Sequence, residues 1–282
     1  MNFTELRSVA ERVARQVGER MISVQKGAGP SDVRLKAPDD LVTEVDLWAE
    51  EQVREAVRLH FPDHLVIGEE TSSELEIIHG KTLAEIASNG VCWIVDPIDG
   101  TANFVNQVPH SSISIAVTVD GDPVFGLVYH PYLDELFVAQ KGRGAELNGA
   151  SIRVGAKQKL AEAVMATGFP HDRAEGWPRY KHLHEALLTS SRKLRMLGST
   201  AAELCWVACG RLDGFAEYHI KAWDVAAGVL IVREAGGAVA SFLERDAPYS
   251  IFARSILAAN NELLPQLLTA AEQAEAQHRA GM

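Results

Sequence analysis

The sequence lacks any uninterrupted apolar run of the roughly 18 residues that a membrane-spanning helix needs. It begins Met1-Asn-Phe-Thr-Glu, without the basic and then apolar pattern of an export signal. Cysteine is scarce, with three in 282 residues. So few, and an odd number, argue against a disulfide framework and suit a reducing compartment, so a cytoplasmic protein is expected. Positive charge is also in deficit: 27 Lys and Arg against 38 Asp and Glu give a net charge of -11. That balance argues against a general affinity for nucleic acid or anionic membranes. It does not exclude an anionic ligand, because divalent cations can stand between acidic side chains and phosphate. No Gly-Lys-Ser/Thr follows Gly27-Ala-Gly-Pro30, so that piece reads as a loop and not a P-loop. What remains is a globular composition, 47% hydrophobic and 23% charged, in a chain long enough for one large domain or two closely packed halves.

The chain is organised around Val91-Cys-Trp-Ile-Val-Asp-Pro-Ile-Asp-Gly-Thr-Ala-Asn-Phe104. The apolar run 91–95 predicts a buried strand that stops at Asp96-Pro97, since proline removes a ladder donor and sends the chain out of the sheet. Upstream, Leu6, Val9, Ala10, Val13, Val17 and Met21 recur at helical spacing and predict an amphipathic helix over 3–25. Thr43 with Asp46 reads as a capping box opening a second helix to about His60. A short strand over 65–67 runs into Gly68-Glu-Glu-Thr71, and 72–90 is a polar helix or loop. Downstream, alternation predicts an antiparallel meander over 112–119, 123–130 and 135–141, extended by 145–154. From about Ala156, strands over 164–167, 193–196, 214–217, 238–242 and 255–259 alternate with helices over 176–190, 199–209, 222–235 and 262–279. The class is mixed α/β layers, with halves at 1–155 and 156–282.

Asp96 and Asp99 are spaced so that a single turn brings both carboxylates to one point. Bare, they would repel and raise a pKa; a shared divalent cation resolves the conflict. Oxygen ligands without His or Cys suit Mg²⁺ or Mn²⁺, not zinc. Gly100 permits an unusual backbone angle, and Thr101 opens a turn or helix whose free N–H groups can hold an anion. A capped helix after an Asp-rich turn is the plain alternative. Asp224, in Trp223-Asp-Val-Ala-Ala-Gly228, is equally explained as a dipole-stabilising acid, as are Glu69 and Glu70 at a helix start. Lys36 and Asp40 read as part of a solvated loop. Cys205 and Cys209 read as core, and His182 and His184 as surface. The Asp-x-Asp-Gly-Thr nucleophile of haloacid dehalogenase phosphatases does not fit, because Pro97 and Ile98 separate the acids and the stretch lies near residue 100.

Together these residues resemble the inositol monophosphatase family. Trp93-Ile-Val-Asp-Pro-Ile-Asp-Gly-Thr-Ala-Asn-Phe104 is similar to its first signature and Trp223-Asp-Val-Ala-Ala-Gly228 to its second. Asp40-Leu-Val-Thr-Glu-Val-Asp46, Gly68-Glu-Glu-Thr71, Gly198-Ser-Thr-Ala-Ala202 and Gly210-Arg-Leu-Asp-Gly-Phe-Ala-Glu217 follow in order. The resemblance implies the layered α-β-α-β-α fold of inositol monophosphatase and fructose-1,6-bisphosphatase, a Mg²⁺-dependent and lithium-sensitive phosphatase with two or three ions (Mn²⁺ a possible substitute), and a homodimer. It implies metal ligation by Glu69, Asp96, the Ile98 carbonyl, Asp99 and Asp224, with Glu70 in support and Lys36 and Asp40 on a mobile loop over the metals. Thr101 with Glu69 would orient the attacking water, and the Gly100 and Thr101 amides would meet phosphate. Glu217, with Asp99 and Thr200 beside it, would face a small phosphorylated polyol or sugar. Thr200 departs from the family's frequent Ala, and Ala222 from its Pro or Cys. Inositol 1-phosphate is the expected substrate. Fructose 1,6-bisphosphatase, 3'(2'),5'-bisphosphate nucleotidase and histidinol-phosphatase activities are the alternatives within the superfamily, and a catalytically idle, metal-dependent interaction protein is the alternative outside it. Trp177 and Gly168-Phe-Pro-His-Asp172 stay open between the site mouth and a dimer contact.

Overall fold

The computed structural model describes the chain apart from residues 28, 38, 39, 74, 76–79, 170–172, 245–247 and 282, and apart from the side chains of 37, 40 and 173–175. The first layer is a pair of helices. Helix α1 (Phe3–Lys26) buries the predicted stripe of Leu6, Val9, Ala10, Val13, Val17 and Met21, and Asn2 caps it by accepting from the Glu5 N–H. A hairpin of β1 (Val33–Ala37) and β2 (Asp40–Thr43) leads into α2 (Glu44–His60). The capping box is formed: Val45 N–H donates to Thr43 Oγ1 and Thr43 N–H to Asp46 Oδ2 at 2.8 Å.

Both helices pack on a seven-stranded sheet of β3 (Leu65–Gly68), β4 (Val91–Asp99), β5 (Ser112–Val119), β6 (Asp122–His130), β7 (Glu135–Gln140), β8 (Gly144–Leu147) and β9 (Ala150–Ser151), in that order. β3 is parallel to β4 and the rest run antiparallel. A short helix, α3 (Leu83–Ala87), precedes β4. One expectation is corrected here. The central strand does not stop at Asp96 but continues to Asp99, with Asp96 opposite Ser114 and Asp99 opposite Ser112. Pro97 and Ile98 face the single residue Ile113, so the proline's missing N–H falls in a bulge where the ladder is already interrupted.

After α4 (Thr101–Val105) and the meander, the second half builds a five-stranded sheet. Its strands are β10 (Val164–Thr167), β11 (Lys193–Arg195), β12 (Gly214–Tyr218), β13 (Ala238–Ala240) and β14 (Ser255–Ala259), in the order β11-β10-β12-β14-β13. Helices α6 (Thr200–Ala208) and α7 (Ala222–Glu234) lie between the two sheets, whereas α5 (Arg173–Ser190) and α8 (Leu264–Ala280) cover the outer face of the second. Three apolar clusters fill the gaps between these five layers, an α-β-α-β-α arrangement.

The middle layer explains the composition of α7. Flanked by sheets on both sides, it buries Val225 through Val232 without a polar face. Its backbone also approaches β6 closely: a Cβ on Gly126 would stand 2.8 Å from the Ala227 carbonyl oxygen. Gly126→Val should therefore destabilise the protein by about 1–3 kcal/mol, read as a lower midpoint in chemical denaturation. An unchanged midpoint would contradict this packing.

Candidate active site

The bulged end of β4 and the turn after it form the floor of the site. Asp96 Oδ1 accepts from the Ile98 N–H at 3.1 Å. Gly100 adopts φ +95° at the N-cap of α4, and a Cβ there would lie 2.7 Å from the Gly198 carbonyl oxygen, so only glycine fits. Thr101 Oγ1 lies 3.0 Å from the Ile98 carbonyl and 3.2 Å from Asp46 Oδ1. Asp46 had a sufficient explanation as a capping acid; the structure gives it a second role, holding the Thr101 hydroxyl. Burial pushes its carboxyl up to about 6 against the opposing bonds from Thr43.

Asp99 is held from the second half of the chain. Oδ2 accepts from Ser199 Oγ at 2.6 Å, Ala201 N–H at 2.8 Å and Ser112 Oγ at 3.2 Å, while Oδ1 accepts from Thr200 N–H at 3.1 Å. Two of those donors are free N–H groups of the first turn of α6, where a negative charge is favoured. Burial still outweighs these bonds and pushes Asp99 up to about 6. Ser112 and Ser199 were not singled out as site residues in the sequence, although Ser199 stands inside the quoted Gly198–Ala202 stretch.

Glu69 leaves β3 with its N–H bonded to the Val95 carbonyl at 3.1 Å, which sets the loop beside β4. Lys36 Nζ donates to Glu69 Oε1 at 2.6 Å and Glu70 Oε1 at 2.9 Å. Burial alone would lower the Lys36 pKa, but the charges of Glu69 and then Glu70 raise it instead. Glu70 is pushed up to about 8 by burial and by Glu69. Lys36 sits on strand β1 of the β1/β2 hairpin, where a solvated loop is expected from the sequence; the Asp40 side chain lies outside the described residues. Below the loop, Glu50 accepts from Glu70 N–H at 2.8 Å, Thr71 Oγ1 at 2.6 Å and Arg54 Nη2 at 2.9 Å. Glu50 escaped the sequence reading although it lies four residues after Asp46, on the same helix face.

Asp224 opens α7 and accepts from the Lys221 N–H at 2.7 Å. Burial, then the charges of Asp99, Glu69 and Glu217, raise its pKa well above the carboxylate range despite that bond. Asp96 is raised likewise by burial and by Glu69, Asp99, Asp224 and Asp46. Carboxylates from β3, β4 and α7 therefore sense one another in a poorly solvated space. The donor set, carboxylates and a carbonyl without His or Cys, fits a hard divalent cation. Among the described residues no three His, Cys, Asp or Glu side chains already form a metal cage; the fit rests on this mutual repulsion, which a cation would relieve. On the far side of Asp99, Thr200 Oγ1 donates to Glu217 Oε2 at 2.9 Å, and burial pushes Glu217 up to about 8.

Other expectations sort simply. Cys205 is buried and Cys209 half-buried, and both are free thiols. His184 is half-buried and not free on the surface: its Nδ1 contacts the Tyr180 carbonyl at 3.0 Å and its ring packs on Phe169 and Trp177. Part of the Gly168–Asp172 turn lies outside the described residues. No described helix is long and apolar enough to cross a membrane.

Residues 2–276 match the model of the inositol monophosphatase family. The Nus factor SuhB of Haemophilus influenzae is 39% identical over 262 residues, covering 93% of each chain. Among solved structures, the Thermotoga maritima IMPase superposes with a TM-score of 0.82 at 31% identity, over 99% of this chain and 100% of that one. Inositol monophosphate-bound SaIMPase-II superposes with a TM-score of 0.77 at 27% identity, over 98% of this chain and 95% of that one.

The raised acids set a pH dependence. Glu70 and Glu217, both about 8 when folded against an ordinary 4.5, keep protons in the folded protein that the unfolded chain has released. The folded state then binds more protons between these values, and stability falls as pH rises through them. His110, His130 and His184, lowered by burial, act in the opposite sense but only below their ordinary 6.5. In chelator, the melting temperature should fall from about pH 7 to about 8.5, and Mg²⁺ should offset the fall by neutralising the site. A melting temperature that rises across that interval in chelator would contradict the assignment.

Proposed function

Because the chain belongs to the inositol monophosphatase family, we propose that it is a Mg²⁺-dependent phosphate monoester hydrolase acting on a small phosphorylated polyol, inositol 1-phosphate first among candidates. The observation that carries the reading is the set of carboxylates Glu69, Asp96, Asp99 and Asp224, in which burial and then the charges of Glu69 and Asp99 raise the pKa of Asp96 and of Asp224, beside the Thr101 hydroxyl and the first turn of α4. Those four side chains and the Ile98 carbonyl would hold the ions, with Glu70, Lys36 and Asp40 in support. When bound, divalent cations supply a lowered pKa for the attacking water and charge neutralisation for the leaving alkoxide. Thr101, fixed by Asp46, and Glu69 orient that water, and Asp46 is placed to receive a proton passed through the Thr101 hydroxyl. The Gly100 and Thr101 amides bind phosphate in line with attack. Asp99, Thr200 and Glu217 face the leaving group. Homodimerisation, lithium sensitivity, a cytoplasmic location and Mn²⁺ substitution belong to the same proposal.

A second reading has one observation in its favour. The Haemophilus influenzae relative is named a Nus factor, and an interaction protein that binds metal without turnover is consistent with that name. The net charge argues against general nucleic-acid affinity, but these relatives lend that expectation no support.

Phosphate release from inositol 1-phosphate, fructose 1,6-bisphosphate, adenosine 3',5'-bisphosphate and histidinol phosphate, with Mg²⁺ present or chelated, separates the two. Mg²⁺-dependent release, strongest with inositol 1-phosphate and inhibited by lithium, is expected. Glu69→Gln should lower it by more than about 100-fold with the fold intact. Near-normal turnover in that variant would sink the catalytic assignment, and no release from any ester would favour the interaction protein.

A further inference from the structure

Glu217 on β12 is 9% exposed, and among the described residues its carboxyl has one hydrogen bond, from Thr200 Oγ1 to Oε2. The N–H of the same Thr200 donates to Asp99 Oδ1. Thr200 therefore ties the acid on the second sheet to the carboxylate at the end of β4, and it does so from the first position of α6, where the helix fixes its backbone. On the other side, Gly168 at the end of β10 packs so tightly against Glu217 that a Cβ there would overlap the carboxyl around Oε1. Held between a hydroxyl and a backbone, the Glu217 carboxyl cannot swing. Oε1 has no hydrogen bond from the described residues, so solvent or a ligand hydroxyl can pair with it. Alanine at position 200 would leave both oxygens open and the carboxyl free to turn.

Resting on the phosphatase reading above, we propose that Thr200 is a positioning residue for substrate choice. By donating to Oε2 it holds the carboxyl with Oε1 free of donors from the described residues, and the site takes phosphate monoesters of polyols that present a hydroxyl to that oxygen. Leaving groups without a hydroxyl gain nothing from it.

Steady-state kinetics on inositol 1-phosphate and on 4-nitrophenyl phosphate, which has no hydroxyl, test this in the wild type, Thr200→Val and Thr200→Ser. Valine keeps the shape and removes the donor; serine keeps the donor. Thr200→Val should raise KM for the polyol ester about tenfold, the worth of about one hydrogen bond once the carboxyl is no longer held, with a smaller change in kcat. Its preference for the polyol over the nitrophenyl ester should fall accordingly, and Thr200→Ser should restore it. An unchanged preference in Thr200→Val, or a Thr200→Ser variant as impaired as the valine, overturns the proposal. If the wild type releases no phosphate from either ester, the phosphatase reading fails. Calorimetric titration with inositol 1-phosphate and Mg²⁺ still decides Thr200: binding about tenfold weaker in Thr200→Val supports its role, and equal affinity overturns it.

Discussion

The Asp99 carboxylate seated on the first turn of α6 is the contact on which the site depends. Asp99 ends the central strand of the first sheet, and the Ser199 hydroxyl and the Thr200 and Ala201 N–H groups belong to the second half. A charge-assisted joint of this kind is stronger and more directional than apolar packing. It sets the distance between the β4 turn and Glu217, and therefore the depth of the space in which a phosphate ester would lie. Asn103 adds to the joint by donating to the His110 and Leu197 carbonyls, both at 2.7 Å.

Around that joint the structure accepts local electrostatic conflict. Burial and then the charges of Glu69 and Asp99 make Asp96 and Asp224 harder to ionise, and burial does the same to Asp99. Such an arrangement persists only where the surroundings over-determine it. Here they do: three apolar clusters clamp the strands and helices that present the acids. Glu50, bonded to Arg54, fixes the Glu69 loop from beneath, and Lys36 partly offsets its charge from above.

The middle layer connects packing to chemistry. Since α7 is enclosed by both sheets, small residues on it let β6 and α6 approach, and its start is tied to the first sheet where Ser114, the partner of Asp96, donates to the Trp223 carbonyl beside Asp224. A bulkier Gly126 would act on the fold first and on the site through it.

Local physics fixed much in the sequence. The α1 stripe, the Thr43–Asp46 box, the buried run before Asp96, the meander and the family signatures all depend on near neighbours in the chain, and each stands in the structure close to where spacing put it. Near neighbours misled at Pro97, where a missing donor was read as the end of a strand and proved to be a bulge. They also left Asp46, Asp224 and Glu69 with sufficient local explanations, as caps and dipole partners. Only tertiary structure could add Asp46 to Thr101, Asp99 to Ser112 and Ser199, and Thr200 to Glu217, because those partners are separated by 13 to 100 residues and a side chain's pattern in sequence carries no record of what lies across a layer. Chain neighbours determined which acids were present and on which elements; the stacking of two sheets about α6 and α7 decided which of them meet.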